Sequence, residues 1–231
     1  TVMIYWWRLY HLTYLPERAA LNGADIVATV STTVQREFEK AKLTKRPIVV
    51  IPNAPQKFHT HKVTHTNAPK NIIYIGTFMP YKNVETLIKG MQWLPGRTLH
   101  LLSKITPSRR KELTAIIPVG ADVRFYGGVT DDAYEVLLAD NAILASASLD
   151  EGYGIPVAEA LAMGVPIFHE VAAGGALYFD PKSSKKFSDR VKELDNKTVR
   201  DAVIKIGQNH ISSFTWEASA RALLNTIKSL V

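Results

Sequence analysis

The sequence predicts an α/β protein built on a doubly wound parallel sheet, with one complete domain and part of a second α/β domain. Between residues 71 and 180, short apolar stretches recur and are separated by stretches of helical composition. The apolar stretches are continuous rather than alternating, which is typical of strands buried on both faces. The 231 residues are 46% hydrophobic and 21% charged, which is the composition of an ordinary globular protein and excludes a mainly disordered chain.

The complete domain is predicted as an alternation of strands and helices. Its strands are expected at residues 71–75, 98–102, 122–126, 142–145 and 165–168. Its helices are expected at residues 83–94, 107–117, 131–140 and 156–163. Because crossovers between parallel strands are right-handed, helices that follow successive strands can cover both faces of such a sheet. The chain after residue 183 is predicted to be mostly helical, with a break near residues 212–215.

The domain organisation follows from where these patterns change. The first 53 residues supply only a helix–strand–helix–strand piece, so we interpret residues 1–54 as the C-terminal remnant of a second α/β domain. Residues 55–70 are polar, contain proline and lack apolar periodicity, and are interpreted as a linker. Residues 71–213 are the complete domain, and residues 214–231 are expected to form a C-terminal helix that packs back toward the first domain.

Composition and charge exclude several function classes. The chain has no cysteine, which excludes disulfides, cysteine zinc sites, iron–sulfur clusters and thiol nucleophiles. The net charge of +7 favours anionic partners, but no stripe of basic and aromatic residues indicates a nucleic-acid binder. No stretch approaches the roughly 20 apolar residues of a membrane span, and no signal peptide is found. A cytoplasmic protein is therefore expected.

Some conspicuous residues have ordinary explanations. The aromatic residues Trp6, Trp7 and Tyr10 are interpreted as helix-packing residues, with peripheral contact to the inner face of a membrane as the alternative. The histidines of the linker are interpreted as polar loop residues; they are His59, His61 and His65. The pair Asp131-Asp132 is explained by helix capping rather than by metal binding. No metal site is predicted.

The loop after the fourth predicted strand carries the most informative residues. In an open parallel sheet, ligands bind at the carboxyl ends of the strands. Glu151 lies in this loop and Glu159 on the helix that follows it, while Gly152 and Gly154 allow the backbone to approach a ligand closely. Pro156 suits the first helical position, and the free N–H groups of that helix can bind an anion. Carboxylates for hydroxyl groups and a helix end for phosphate are the chemistry that a nucleotide sugar requires.

The segment from Glu151 to Glu159 (EGYGIPVAE) resembles the E-x7-E signature of retaining GT-B glycosyltransferases of family 4. Further segments resemble landmarks of that family in the same order along the chain: 24–31 and 51–53 the exit of its N-terminal domain, 71–88 its glycine loop and lysine, 122–128 its base-side strand, and 175–181 and 214–216 its later landmarks. The resemblance covers nearly the whole chain. It implies a Rossmann-like GT-B fold in which residues 1–54 belong to the acceptor domain.

The resemblance also implies an activity. The protein is expected to be a metal-independent, retaining hexosyltransferase that needs no cofactor and moves mannose or glucose from a UDP-, GDP- or ADP-sugar to a glycan, lipid or small-molecule acceptor. Glu151 and Lys82 are the expected catalytic residues, because Glu151 would contact the sugar hydroxyls and Lys82 would neutralise the departing diphosphate. Glu159 would hold the ribose. The other residues expected around the nucleotide sugar are Gly152, Tyr153, Gly154, Ile155, Pro156, Gly76, Thr77, Gly127 and Gly128.

The chain departs from the family at one cation. Many members carry an arginine just after the loop glycine or directly before the lysine, and here those positions are Thr77 and Tyr81, with Lys104 as another candidate cation. This departure motivates an alternative function, a degenerate or partial homologue that binds a nucleotide or nucleotide sugar without turnover. A retaining glycoside hydrolase that uses Glu151 and Glu159 is a further alternative, and it requires carboxyl groups about 5–5.5 Å apart.

Overall fold

The computed structural model describes residues 9–56, 63, 67–168 and 176–230, except for the side chain of residue 168. The chain divides into two compact units, of which one comprises residues 55–213 and the other residues 1–54 together with 214–231.

The strands, in chain order, are β1 (Val27–Thr29), β2 (Ile48–Val50), β3 (Asn71–Tyr74), β4 (Thr98–Leu101), β5 (Asp122–Phe125), β6 (Ala142–Ala145), β7 (Ile167–Phe168) and β8 (Ala176–Leu177). The α-helices are α1 (Leu15–Gly23), α2 (Thr32–Lys40), α3 (Val84–Gly90), α4 (Pro107–Thr114), α5 (Asp131–Ala139), α6 (Ile155–Met163), α7 (Ser184–Glu193), α8 (Lys197–Ile211) and α9 (Trp216–Lys228). Shorter helical turns are a π-helical turn at Tyr10–Tyr14 and 3-10 turns at Pro80–Lys82 and Met91–Trp93.

The unit of residues 55–213 contains a six-stranded parallel sheet with the strand order β5-β4-β3-β6-β7-β8. The central strand β3 pairs with β4 on one side and β6 on the other, so that Asn71 lies opposite both Thr98 and Ala142. The predicted doubly wound parallel sheet is therefore confirmed. The edge strand β8 was not predicted, because its two residues are too few to give a hydrophobic pattern.

The main apolar core lies between this sheet and the helices α3 and α7. Ile72 and Leu99 from the sheet, Leu87 from α3 and Phe187 from α7 are fully buried there. The last residue of α3, Gly90, allows the two helices to approach closely, since a Cβ atom at this position would lie 2.5 Å from a ring carbon of Phe187. Burial of these side chains is the largest favourable contribution to the stability of the unit.

Several helix ends differ from the predictions, and the helix predicted over residues 107–117, for example, ends at Thr114. The helix predicted over residues 83–94 ends as an α-helix at Gly90 and continues as a 3-10 turn. The helical tail is also interrupted at residues 194–196, where the side chain of Asn196 accepts the N–H groups of Thr198 and Val199 and begins α8. Similar side-chain caps begin other helices; they are Ser31, Thr106, Thr130, Ser183 and Thr215. Since Thr130 caps α5, the pair Asp131-Asp132 occupies the first turn of this helix, where carboxylates interact favourably with the helix dipole.

The other unit contains a parallel pair of strands, β1 and β2, in which Val27 lies opposite Ile48. Helix α9 is attached to this unit through Ser219, whose hydroxyl donates to the carbonyl of Pro52 (2.5 Å). The side chain of Asn22 in α1 hydrogen-bonds to the backbone of the segment before β2. None of the helices in the described part of the chain combines the length and the apolar character that crossing a lipid bilayer demands.

Candidate functional site

The candidate site lies where the loops after β3 and β6 leave the sheet. These strands are neighbours, but the chain continues from β3 to β4 on one side and from β6 to β7 on the other. The two loops therefore diverge, and the carboxyl ends of these strands form the switch point at which open α/β sheets bind ligands. Lys82 lies in the first loop and Glu151 in the second.

Lys82 and Glu151, the two residues predicted to be catalytic, form an ion pair. The Nζ atom of Lys82 lies 2.6 Å from Oε2 of Glu151, and the two side chains are 15% and 21% exposed. A backbone hydrogen bond of 2.7 Å from the N–H of Leu149 to the carbonyl of Tyr81 joins the same two loops. Because an ammonium group has three donor hydrogens, Lys82 can keep its hydrogen bond to Glu151 and still donate another to an anionic ligand.

The predicted glycine loop is held by side chains from the strands. The N–H of Gly76 donates to Oγ of Ser103 (3.0 Å), and the hydroxyl of Tyr74 donates to the carbonyl of Thr77 (2.5 Å). A Cβ atom at Gly76 would lie 3.0 Å from the hydroxyl oxygen of Tyr74. A larger residue at this position would therefore displace the hydroxyl group that fixes the loop. Burial raises the pKa of Tyr74, so this hydroxyl stays protonated and remains a donor at neutral pH.

Arg109 on α4 also holds this loop. Its side chain is 20% exposed. The guanidinium donates to the carbonyl of Phe78 (3.0 Å) and pairs with Glu85 (2.5 Å) and Glu112 (3.1 Å). Phe78 and Glu85 lie 31 and 24 positions from Arg109 in the sequence. Only Glu112, three positions after Arg109, could have indicated from the sequence that this arginine is paired.

The helix α6 begins at Gly154, whose backbone is left-handed (φ 80°, ψ 62°). Ile155 is the first helical residue and Pro156 the second, so Pro156 does not take the first position that was predicted for it. The N–H groups of Val157 and Ala158 both donate to the carbonyl of Gly154. Since proline has no N–H, Ile155 is the one residue among 155–158 whose N–H remains available to a ligand. The anion site at this helix end is thus smaller than the sequence indicated.

The loop before α6 brings Glu151 to this helix end. A Cβ atom at Gly154 would lie 3.7 Å from Cγ of Glu151. Gly152 is exposed and Tyr153 is half-buried between them. The structure therefore places Lys82, Glu151 and the start of α6 together at the switch point.

Glu159 lies on the second turn of α6 and is only 8% exposed. Burial, together with the charge of Asp131 on α5, raises the pKa of its carboxyl group from 4.5 to about 7, while the neighbouring hydroxyl of Tyr134 opposes this change. Near neutral pH the group is therefore shared between its charged and neutral forms. Tyr134 is 4% exposed and was missed by sequence reasoning, because its spacing on α5 indicated only a core residue. Glu151 and Glu159 interact with different elements, Glu151 with Lys82 in the loop after β3 and Glu159 with α5.

The predicted base-side loop follows β5, which is separated from β3 by β4. Gly128 has φ 112°, and a Cβ atom there would lie 3.5 Å from Cγ of Lys104, whereas a Cβ atom at Gly127 would meet nothing within 4 Å. The preceding residue, Tyr126, is anchored by its hydroxyl, which lies 2.8 Å from Nδ1 of the buried His100. Gly127 thus borders open space beside an anchored tyrosine.

Other residues of interest fall outside the site or outside the described residues. The linker histidines His59, His61 and His65 and the aromatic residues Trp6 and Trp7 lie outside the described part of the chain. Tyr10 is 49% exposed and stacks on Tyr14, with 5.3 Å between the ring centroids. Among the described residues, no group of three or more His, Cys, Asp or Glu side chains is arranged to hold a metal ion.

Comparisons with known proteins identify the family of this chain. Residues 56–210 match the family model "Glycosyl transferases group 1". The chain is 25% identical over 202 residues to the O-antigen chain mannosyltransferase RfbU of Salmonella typhimurium, covering 83% of this chain and 56% of the relative. It is 27% identical over 173 residues to the O-antigen chain mannosyltransferase B of Escherichia coli, covering 68% of this chain and 45% of the relative.

Solved structures show the same fold. Sucrose-phosphate synthase of Thermosynechococcus elongatus matches with a TM-score of 0.79 at 21% identity, over 94% of this chain and 61% of that protein. HepE of Anabaena, solved in complex with UDP and glucose, matches with a TM-score of 0.76 at 18% identity, over 95% of this chain and 68% of that protein. The chain spans about half the length of the two mannosyltransferases. Because the family model covers most of the chain, this protein belongs to the glycosyl transferases group 1, with a GT-B type of fold.

Proposed function

We propose that this chain carries the donor-binding part of a retaining hexosyltransferase, which transfers a hexose from a nucleoside-diphosphate sugar to a glycan, lipid or small-molecule acceptor. The observation that carries the proposal is the pairing of Lys82 with Glu151 at 2.6 Å beside the start of α6, at the switch point of the sheet. A cation, a carboxylate and a helix end meet there, and a nucleotide sugar presents phosphate and hydroxyl groups to bind them.

The proposed roles follow from the charges of these groups. Lys82 donates to the diphosphate and stabilises the negative charge that develops as the bond between the sugar and the phosphate breaks. Glu151 accepts hydrogen bonds from the hydroxyls of the donor sugar and orients its reacting carbon. The N–H of Ile155 adds a fixed donor to the phosphate side. Transfer is proposed to proceed without a metal ion, because these fixed donors neutralise the leaving group.

The nucleotide is proposed to lie between α6 and the loop after β5. Glu159 binds the ribose hydroxyls, and its buried position allows it to bind as a neutral or as a charged group near neutral pH. The open space at Gly127 accepts the base. Gly76 and Thr77 line the opposite side of the diphosphate, where the loop is held by Tyr74 and Arg109.

The donor sugar is proposed to be mannose, with glucose as the next candidate. The two similar proteins identified by sequence are named O-antigen chain mannosyltransferases, and the structure of HepE contains UDP and glucose. Residues 1–54 with 214–231 are proposed to belong to the acceptor domain. The proposed setting is the cytoplasm, at the inner face of a membrane where a lipid-linked acceptor would be found.

A thermal-shift screen with UDP, GDP, ADP and their mannose and glucose conjugates tests the donor, because a ligand that binds the native state raises Tm. Radiolabelled transfer from the stabilising sugar nucleotide to lipid-linked and soluble glycan acceptors then tests turnover. In Glu151→Ala we expect a loss of transfer of at least about a hundredfold with an unchanged Tm in the absence of ligand. Glu193→Ala is the matched control, because Glu193 is also ion-paired but lies on α7, away from the site.

The outcomes distinguish the two functions that the sequence left open. Binding of a sugar nucleotide with transfer that depends on Glu151 supports the transferase. Binding without transfer, with every acceptor class tested, supports the degenerate homologue instead. Transfer by Glu151→Ala at the wild-type rate contradicts the role proposed for this residue.

A further inference from the structure

The residue directly after Lys82, Asn83, has an unusual backbone conformation. Its φ and ψ angles of 49° and 41° lie in the left-handed region, at the junction of the 3-10 turn Pro80–Lys82 and α3. Few residues other than glycine adopt this conformation, although asparagine tolerates it better than most. Such a conformation persists where surrounding contacts determine it.

The side-chain amide of Asn83 joins three segments of the chain. Its Nδ2 atom donates to the carbonyl of Ala147 in the loop after β6 (3.2 Å) and to the carbonyl of Pro181 in the turn before α7 (2.7 Å). Its Oδ1 atom lies 3.1 Å from the hydroxyl of Thr86, which also lies 2.8 Å from the carbonyl of Pro181. The single hydroxyl hydrogen of Thr86 serves one of these two acceptors at a time.

These contacts fix the loop that carries Glu151 to the loop that carries Lys82. Ala147 is fully buried, and two residues later the N–H of Leu149 donates to the carbonyl of Tyr81. The amide of Asn83 and this backbone bond are thus two successive links between the loops. The separation of 2.6 Å between Lys82 and Glu151 depends on how these loops are placed relative to one another.

We infer that Asn83 is a positioning residue, which holds Lys82 and Glu151 at ion-pair distance and so pre-organises the site for the diphosphate and sugar of a donor. The ligand in this inference rests on the proposed function, whereas the link between the loops does not. A ligand that meets a pre-organised pair loses less free energy in ordering the protein. Asn83 therefore acts through its neighbours.

The variant Asn83→Gly tests the link, because glycine keeps the left-handed backbone and removes only the amide. Asn141→Gly is the matched control, since Asn141 is also left-handed (φ 47°) and its Nδ2 donates to the carbonyl of Ala68 (3.0 Å) at the opposite end of β6. Loss of the two hydrogen bonds is expected to speed hydrogen exchange in peptides covering residues 146–152 by about tenfold or more. Exchange of these peptides in Asn141→Gly is expected to match the wild type.

Calorimetry tests the consequence for binding. The probes are the nucleoside diphosphate among UDP, GDP and ADP that most stabilises the wild type, and the corresponding monophosphate. In Asn83→Gly we expect the affinity for the diphosphate to fall by about tenfold and that for the monophosphate to stay unchanged. A loss that is merely structural would lower both affinities by the same factor.

Each result decides a separate point. If the wild type binds a diphosphate but Asn83→Gly keeps the same ratio of the two affinities, the inference is overturned. Unchanged exchange at residues 146–152 overturns it as well. If the wild type binds none of the three nucleotides, the proposed function fails, while the exchange experiment still decides whether Asn83 holds the two loops.

Discussion

The buried carboxyl group of Glu159 predicts how the stability of the protein depends on pH. Its pKa in the folded state is raised to about 7, whereas 4.5 is its ordinary value in an unfolded chain. Below the lower value both states hold the proton, and the group does not affect folding. As the pH rises from 4.5 to about 7, the unfolded chain loses the proton while the folded state retains it, so the free energy of unfolding falls. Above about pH 7 the free energy of unfolding falls no further through this group.

The magnitude follows from the difference between the two pKa values. At about 1.4 kcal/mol for each pKa unit, the difference corresponds to about 3 kcal/mol. Glu159→Gln removes this titration and keeps the shape of the side chain. The variant is therefore expected to match the wild type near about pH 4 and to be more stable by about 3 kcal/mol near about pH 8. For a unit of this size, that difference raises Tm by about 6–12 °C.

Differential scanning calorimetry of both proteins at the two pH values measures the effect. Glu193→Gln is the control, because it makes the same change in net charge at a residue that is 43% exposed and paired with Arg190. It is expected to change Tm little at either pH. A Glu159→Gln variant whose Tm advantage is equal at both pH values would show that the carboxyl group is solvated, and the reasoning from burial would be refuted.

Two further predictions concern glycines. Gly154→Ala forces alanine into a left-handed backbone at the start of α6, which costs about 1–2 kcal/mol. Because the change also displaces the N–H of Ile155, we expect calorimetry to show weaker nucleotide binding. Gly96→Ala is its control, because Gly96 is also left-handed (φ 75°) with no atom within 4 Å, so it should lose similar stability in urea and keep its affinity. Gly90→Ala places a Cβ atom 2.5 Å from the ring of Phe187. We expect this variant to lower the free energy of unfolding of residues 55–213, measured in urea, by about 1–3 kcal/mol. Stability equal to that of the wild type would mean that α3 and α7 are loosely packed.

The sequence predicted the strands of the large sheet well, because each is a continuous apolar stretch that gives a local signal. Segments whose structure depends on distant partners were harder to predict. The edge strand β8 has two residues and forms by pairing with β7, and the helix after Lys82 ends at Gly90, where it meets Phe187. In the candidate site, Glu151, Glu159 and Lys82 were predicted from their surrounding motifs, whereas no local pattern indicated Arg109, because its partners Phe78 and Glu85 are distant in sequence.

By itself, the sequence determined the α/β class, the alternation of strands and helices and the loops in which a ligand site was to be sought, because all of these depend on local spacing. Only the tertiary structure decided that Lys82 meets Glu151, which lies 69 positions away, and that Asn83 ties their loops together. The physical reason is the order of the strands. Pairing of β6 beside β3 brings together two loops that are remote along the chain, and no local pattern specifies which strands become neighbours.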